Sequence, residues 1–373
     1  MSRLGFDLFA NEVRFLSSIK GKRSSCPAKT IESFLRTGRE PLKIQFDLRI
    51  VRSNNGVFEK SPRIKPLKGV FLELQGGTVE KAPGRHLMKV LHINNISRVA
   101  STLSDELKRR GIQSEVLVFE RGIYGFPYNH LLTGRSFVKV LKAMWKGKNY
   151  DIVHWHYPRQ KRTIEVYSKF KSVLKHYHGT DLRGKREENF CIVAMPELLN
   201  YAPSGLYLPH PINVEETEPI YETGNKRPIV CWYRSTLTRA DIIEKALRDL
   251  GDRCVSLELK GYKHEEALNF IAKSEIFIDI RTNGWYGLST AEAMAYGKPV
   301  IGYIRQDLAK KYNPPITPYS AHENLTETLK RFVEDSNLRV KMGKACRQHA
   351  ETVHDVKSAV DMLFAIYEKL EAN

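Results

Sequence analysis

The sequence has few cysteines and no long apolar run, and these absences exclude several classes of protein. Five cysteines in 373 residues are scattered without a Cys-x-x-Cys pair, a pattern that fits reduced thiols better than a disulfide framework or a zinc site. No run of about 18 or more apolar residues occurs, so we expect no transmembrane helix. The residues after Met1 form no apolar segment like that of a signal peptide, and we therefore expect a cytoplasmic protein.

What the chain does have is enough apolar material to fold. Hydrophobic residues make up 42% of it and charged residues 27%, which excludes an intrinsically disordered chain and allows real cores. A length of 373 residues is too great for one ordinary domain and indicates two or three.

The net charge of +18 indicates an anionic partner, and it is unevenly distributed. Residues 1–87 contain 17 Lys and Arg against 8 Asp and Glu, whereas the other 286 residues contain 43 against 34. Per residue, the first segment is therefore far more basic. Nucleic acid, an anionic membrane surface and phosphorylated ligands are all compatible with this charge, and charge alone does not choose among them.

The character of the sequence changes at Met88. A strand at 89–93, an amphipathic helix at 100–110 and a strand at 115–119 form the usual opening of a parallel α/β domain. Because Met88 directly precedes the first strand, two interpretations of residues 1–87 stay open. They are either a genuine basic N-terminal extension or a mis-assigned segment upstream of a natural start at Met88.

Strands and helices continue to alternate in two series. The first has predicted strands at 152–154, 173–177, 191–194 and 206–208 and helices at 137–146 and 164–170. The second has strands at 229–232, 256–259, 276–280 and 300–303 and helices at 240–249 and 264–274. We predict two doubly wound, Rossmann-like α/β domains, 88–214 and 215–352, with a cleft between them. An amphipathic helix at 356–370, in the last segment 353–373, is expected to pack back across the cleft.

The segment from Asn283 to Ile301 is the most informative part of the chain. It reads as a glycine-bearing loop after a buried strand, a short helix ended by Gly297, and another buried strand. Free backbone N–H groups at the start of such a helix can hold an anion, and Gly287 lets the backbone approach it. Glu292, placed in the first helical turn, could reach a neighbouring hydroxyl. The segment therefore predicts a site for a diphosphate and a ribose.

This segment resembles the Glu-x7-Glu region of retaining glycosyltransferases with the GT-B fold, in particular glycosyltransferase family 4. That family typically reads E-G-F-G-L-x-x-L-E-A-M-A-x-G-x-P-V-I, and the chain matches it at Gly287, Leu288, 292–295, Gly297 and 299–301. The resemblance extends more weakly over about 88–370. It implies transfer of a sugar from a nucleoside diphosphate to a glycan or lipid-linked acceptor, with retention of configuration and no cofactor or metal.

The resemblance also assigns roles around the helix. Glu292 would hold the donor ribose, although Ser289-x-x-Glu292 is also a capping box in which Glu292 would only bind the helix start. Gly284 stands where the family has its first glutamate, which leaves the donor sugar and the activity itself open. The remaining donor-binding candidates are the loop, the helix start and a possible wall for the nucleobase, namely Tyr286, Gly287, Leu288, Ser289, Gly261 and Tyr262.

Two arginines follow the first strand of the second series. Arg234 and Arg239 have the spacing of the Arg and Lys that clamp the donor diphosphate in the family, with Arg239 replacing the lysine. Two such cations would stabilise the charge that develops on the leaving group. The alternative is two solvated arginines near the start of a helix.

The first series offers a candidate at a strand end. His178, Gly179 and Asp181 are similar to the family's H-G-x-D stretch, which implies that His178 contacts the donor sugar. Asp181 could instead only cap the next helix. No carboxylate nucleophile is established for the family, so we expect front-side attack assisted by the leaving phosphate. Asn95 and Ser97 lie in the loop after the first strand and are candidate donor or acceptor contacts.

Two further patterns have ordinary alternatives. His154 and His156 share one face of a strand like a metal-binding pair, but the sequence shows no evident third ligand, and we expect structural histidines and no metal. Lys139, Lys142 and Lys146 share one face of a predicted helix that suits peripheral docking on the inner face of a membrane. An ordinary solvated helix explains that pattern equally well.

The sequence leaves two other functions open. One is a nucleotide-sugar-binding protein without transferase activity, indicated by Gly284. The other is a basic nucleic-acid-binding protein, although the basic residues after 87 are not interleaved with an RNA-binding signature.

Overall fold

A computed structural model describes residues 88–159, 161–318 and 325–371. The predicted basic extension at 1–87 lies outside the described residues. Within the described part, two parallel β-sheets are each covered by helices on both faces, as the alternating pattern predicts.

The first sheet has seven parallel strands in the order β3-β2-β1-β4-β5-β6-β7. The strands are β1 Lys89–Ile93, β2 Gln113–Val118, β3 His130–Leu131, β4 Ile152–His156, β5 Ser172–Tyr177, β6 Cys191–Val193 and β7 Gly205–Tyr207. Its neighbouring helices are α1 Val99–Arg109, α2 Ser136–Gly147 and α3 Lys161–Tyr167. The central strand β4 is buried along its whole length, as expected where helices cover both faces of a parallel sheet.

The second sheet has five parallel strands in the order β12-β11-β10-β8-β9. The strands are β8 Ile229–Tyr233, β9 Val255–Leu259, β10 Ile276–Asp279, β11 Val300–Gly302 and β12 Thr317–Pro318. The helices are α4 Ala240–Leu250, α5 His264–Lys273, α6 Leu288–Ala295, α7 Gln306–Tyr312, α8 Leu325–Glu334 and α9 Ser336–His349. The strand order reverses direction between β8 and β10, and such a switch point leaves a crevice at the carboxyl ends of the strands.

The last helix, α10 Val356–Glu371, follows α9 through a π-helical turn at Ala350–His354. It packs on the first sheet, not the second, with Val360, Leu363 and Tyr367 fully buried against α1 and the sheet face. An isolated parallel bridge between Ile212 and Asp355 leads the chain back to this sheet. The last helix thus packs on the same sheet that contains β1, the first described strand.

None of the described helices is both long and apolar enough to cross a membrane.

Candidate active site

A cavity of about 640 Å³ lies where the carboxyl ends of the two sheets face each other. From the first sheet it is lined by residues 95–97 after β1 and by a loop within 120–126 after β2. From the second sheet it is lined by residues that end or follow β8, β9 and β10 and by the start of α6. Doubly wound sheets bind ligands at this edge, so its position agrees with the sequence pattern.

The start of α6 is fixed by the last residue of β10. Oδ2 of Asp279 accepts the backbone N–H of Gly287 at 3.2 Å and the hydroxyl of Thr290 at 2.6 Å. The backbone N–H groups of Thr290 and Ala291 donate to the Gly287 carbonyl. Those of Leu288 and Ser289 come before the first intrahelical bonds and lie beside the cavity, where they suit an anion.

Arg281, which the sequence interpretation missed, lies beside this helix start. Its guanidinium lines the cavity, and a Cβ at position 287 would overlap its Nη1 atom. Its Nε has no hydrogen-bond partner among the described residues, and Asp279 Oδ1 is 3.9 Å away. The Arg281 guanidinium therefore lies next to the N–H groups of Leu288 and Ser289, where it could bind a phosphate.

Glu292 lies on the same wall. It is the fifth residue of α6, so its predicted place in the first turn is wrong. Its Oε1 is 2.5 Å from Nε2 of His264, and His264 Nδ1 is 3.4 Å from Nη1 of Arg98, in the first half of the chain. No side chain caps the helix, whose N-cap is Gly287. The capping-box alternative for Glu292 is therefore wrong, and the carboxylate is directed to the cleft.

A second cavity of about 210 Å³ adjoins the first and shares Ser97, His264, Leu288 and Glu292 with it. Ser97 and Arg98 have positive φ angles of 52° and 58°, a conformation that non-glycine residues rarely adopt outside constrained sites. Glu292 is therefore one of the four residues that border both cavities.

Several solved structures have a similar fold. A glycosyltransferase from Rickettsia africae ESF-5 is similar with a TM-score of 0.57 and 13% identity, over 78% of this chain and 100% of that one. HepE from Anabaena, in complex with UDP-glucose, gives 0.57 and 14%, over 76% and 100%. Sucrose-phosphate synthase from Thermosynechococcus elongatus gives 0.56 and 15%, over 76% and 99%. No family model and no curated protein matches the chain.

The chain has the GT-B fold. At 13–15% identity the likeness concerns the fold alone. It confirms the predicted class, two α/β domains of parallel strands with a cleft between them.

The cavity brings together about half of the residues predicted from the sequence. These are Asn95, Ser97, Gly261, Tyr262, Gly287, Leu288, Ser289 and Glu292. They come from both sheets and include the helix start and the proposed wall for the nucleobase. Their roles stay predictions, but their proximity is a property of the fold.

Arg234 and Arg239 do not line either cavity, which corrects their predicted position. Arg234 forms a bidentate ion pair with Glu258, at 2.6 and 2.9 Å, and a further pair with Glu244. Arg239 is about half exposed and pairs with Asp241 at 2.9 Å. Carboxylates already neutralise both guanidinium groups, so Arg281 is better placed for a phosphate.

Two predicted donor contacts belong to the interior instead. The ring of Tyr286 is 1% exposed, stacks on Trp285, and its hydroxyl lies 2.9 Å from Nε2 of His354. Gly284 has a φ of 71°, and a Cβ there would lie 2.8 Å from the Cβ of Arg305. A larger residue does not fit this turn without strain, which gives a structural reason for the missing family glutamate.

The H-G-x-D stretch forms a tight loop after β5. The Asp181 carboxylate accepts the N–H groups of His178 and Gly179, at 3.0 and 2.7 Å, and burial raises the pKa of Asp181. Asp181 thus holds the loop, but no helix starts directly after it in this described part of the chain, so the predicted capping alternative is wrong. Nε2 of His178 lies 3.1 Å from Nδ1 of His156, and His178 does not line either cavity.

His178 belongs to a histidine row along one face of the first sheet. Its members are His92 on β1, His154 and His156 on β4, His176 on β5, and His178 directly after β5. The expectation that His154 and His156 have no evident third ligand is therefore wrong. The His-x-His spacing occurs twice in the sequence, but the parallel register that pairs His156 with His176 was not predictable from it.

Proposed function

We propose that the chain is a glycosyltransferase that moves a sugar from a nucleoside diphosphate to a glycan or lipid-linked acceptor with retention of configuration. The observation that carries the proposal is the shared wall of the larger cavity. On that wall the start of α6, the guanidinium of Arg281 and the carboxylate of Glu292 line one space. An anion site next to a hydroxyl-binding carboxylate suits the diphosphate and ribose of a nucleotide sugar.

The donor is arranged along this wall in the proposal. Its diphosphate accepts hydrogen bonds from the N–H groups of Leu288 and Ser289 and from Arg281. Its ribose hydroxyls donate to Glu292, and the base lies against Gly261 and Tyr262. As the sugar–phosphate bond breaks, negative charge grows on the leaving diphosphate, and fixed donors stabilise it without reorganisation.

The acceptor enters from the opposite wall. The loops that contain Asn95, Ser97 and Ile123 line that side, and Ile123 is 78% exposed. The acceptor hydroxyl attacks on the face from which the phosphate departs, and a phosphate oxygen takes its proton, so no protein base is required. The contact of His178 with the donor sugar stays a prediction, and His178 lines neither cavity.

Two measurements test the proposal. Isothermal titration with a panel of UDP-, GDP- and ADP-sugars identifies the donor, and release of the nucleoside diphosphate in the presence of glycan acceptors reports transfer. Binding together with acceptor-dependent release supports a transferase. Binding without release under any acceptor supports the alternative, a nucleotide-sugar-binding protein, which Gly284 favours. No binding of any nucleotide sugar would refute both.

The positive charge motivates two further tests. For peripheral docking on a membrane, α2 exposes Phe137 and Trp145, 42% and 38% exposed, beside its lysines. Flotation with anionic vesicles should then recover the full chain, and failure to float removes membrane docking from the proposal. Tight nucleic-acid binding that falls steeply with salt would instead favour the nucleic-acid alternative.

A further inference from the structure

We propose that His156, His176 and His178 bind one divalent transition-metal ion, for which Zn²⁺ is the probe. Each offers a ring nitrogen, and these atoms lie within 4.8 Å of one another. His156 and His176 are 0% and 1% exposed, and His178 is 9% exposed. Neutral imidazole is a preferred ligand of zinc, copper, nickel and iron.

The first argument is the lack of hydrogen bonds at these nitrogens. Neither Nδ1 nor Nε2 of His176 has a partner among the described residues. Leaving a buried polar atom unsatisfied costs about 1–3 kcal/mol. A buried imidazole with two such atoms is therefore unusual, and a bound ion would give one nitrogen of each ring a partner.

The second argument is distance. Nδ1 of His156 lies 3.1 Å from Nε2 of His178, and the His176 and His178 rings stack with centroids 4.3 Å apart. Two nitrogens bound to tetrahedral zinc at about 2.0–2.1 Å are separated by roughly 3.3 Å. The observed separation is close to that value. A hydrogen bond between His156 and His178 also explains this separation, but it leaves both ring nitrogens of His176 without a partner among the described residues.

A second group, His92, His154 and His156, is also close enough to share an ion, but its nitrogens are better satisfied. Nδ1 of His154 lies 2.6 Å from the Tyr367 hydroxyl, and Nδ1 of His92 lies 3.1 Å from Nε2 of His156. All three rings are fully buried. The proposed trio includes His178 at the strand end, which at 9% exposed is the least buried histidine of the row.

The ion would join two adjacent strands and the loop after β5. His156 lies on β4, His176 is paired with it on β5, and His178 begins the Gly179 loop. The proposed ion does not depend on the predicted contact of His178 with the donor sugar.

The test uses the full chain without a polyhistidine tag, stripped of metal and titrated with Co²⁺ and then Zn²⁺. We expect one Co²⁺ per chain with the intense visible absorption of a tetrahedral site, and its loss when Zn²⁺ displaces the cobalt. His176→Gln should lower the Zn²⁺ affinity about 100-fold or more, since altering even outer-shell partners costs 10–100-fold. The matched variant His154→Gln should stay within about threefold, because His154 belongs to the second group and its ring nitrogen bonds Tyr367, not a proposed ligand.

Three results would overturn the proposal. One is the absence of stoichiometric Co²⁺ absorption in the unaltered chain. Another is a loss of affinity in His154→Gln as large as in His176→Gln, which would place the ion in the other trio. X-ray absorption of the zinc-loaded, unaltered chain counts the imidazole ligands without any variant, and fewer than three would also contradict it. Melting curves accompany each variant.

Discussion

At the scale of single residues, the site depends on the pairing of Arg281 with Gly287. The guanidinium occupies the space that a side chain at 287 would fill. It is therefore the absence of a Cβ that lets a cation lie against the helix start. Because hydrogen bonds to charged groups contribute about 1.5–3 kcal/mol, this one contact can decide whether a diphosphate binds.

Arg281→Ala should weaken nucleotide-sugar binding about 10- to 100-fold, because it removes the charged donor to the diphosphate. Arg239→Ala is the matched control, since Arg239 is an arginine of the same half that pairs with Asp241 outside the cavity. We expect it to change the affinity less than about twofold. Titration calorimetry measures both. A larger loss of affinity in Arg239→Ala would support the sequence prediction that Arg234 and Arg239 bind the diphosphate.

Glu292→Ala should lower donor affinity by about 10-fold or more through the lost ribose contact. The chain should still fold, because the carboxylate does not cap α6, but loss of its buried contact with His264 should lower the melting temperature modestly. Glu327→Ala, at an exposed glutamate in the first turn of α8, controls for the loss of one negative charge. Unchanged donor affinity in Glu292→Ala would remove this carboxylate from the site.

Lys298 predicts a pH dependence of stability. Its side chain is buried, its Nζ donates to the Ile220 carbonyl at 2.6 Å, and burial lowers its pKa from 10.5 to about 8. Between these values the unfolded chain binds more protons than the folded one, so the free energy of unfolding should rise with pH there, by on the order of 2 kcal/mol. The difference between the unaltered chain and Lys298→Met isolates this contribution in urea unfolding at several pH values. A difference that stays constant from pH 8 to 10.5 would contradict it.

At the scale of elements, the hydrophobic periodicity of the sequence predicted the strands and helices that pack most closely in the cores. The strand at 89–93 was predicted with its observed bounds, and the last helix differs by one residue. The two-residue strands β3 and β12 were missed, since their pairing depends on neighbouring strands and not on local pattern. The same limit applies to the site. The start of α6 was predictable from Gly287. The position of Arg281 was not, because it follows a strand whose side-chain directions are fixed only by its register with the neighbouring strands.

The turn before α6 gives a prediction of its own. Gly284→Glu, which introduces the family's glutamate, should destabilise the fold by about 1–3 kcal/mol, because the residue has positive φ and its Cβ would press on Arg305. Gly224→Glu is the matched control: its φ is 72°, but nothing lies within 4 Å of its Cβ. It should therefore cost only the conformational part, about 1 kcal/mol. Equal losses in thermal unfolding would show that the contact with Arg305 is unimportant.

At the scale of the whole molecule, loops from both sheets meet across the cleft. The backbone N–H of His264 donates to the Tyr124 carbonyl at 3.2 Å, and the Tyr124 hydroxyl lies 3.4 Å from that of Tyr233. Arg98 reaches the same histidine, which in turn contacts Glu292. A donor that binds Glu292 therefore lies against residues held by both sheets, as a transfer between a donor and an acceptor side requires.

The most direct test of this account is a crystal structure of the chain with its nucleotide-sugar donor. We predict a diphosphate about 3 Å from the backbone nitrogens of Leu288 and Ser289 and from the guanidinium of Arg281, with the ribose on Glu292. A diphosphate held by Arg234 and Arg239 away from the start of α6, or a donor bound outside the cleft, would contradict it.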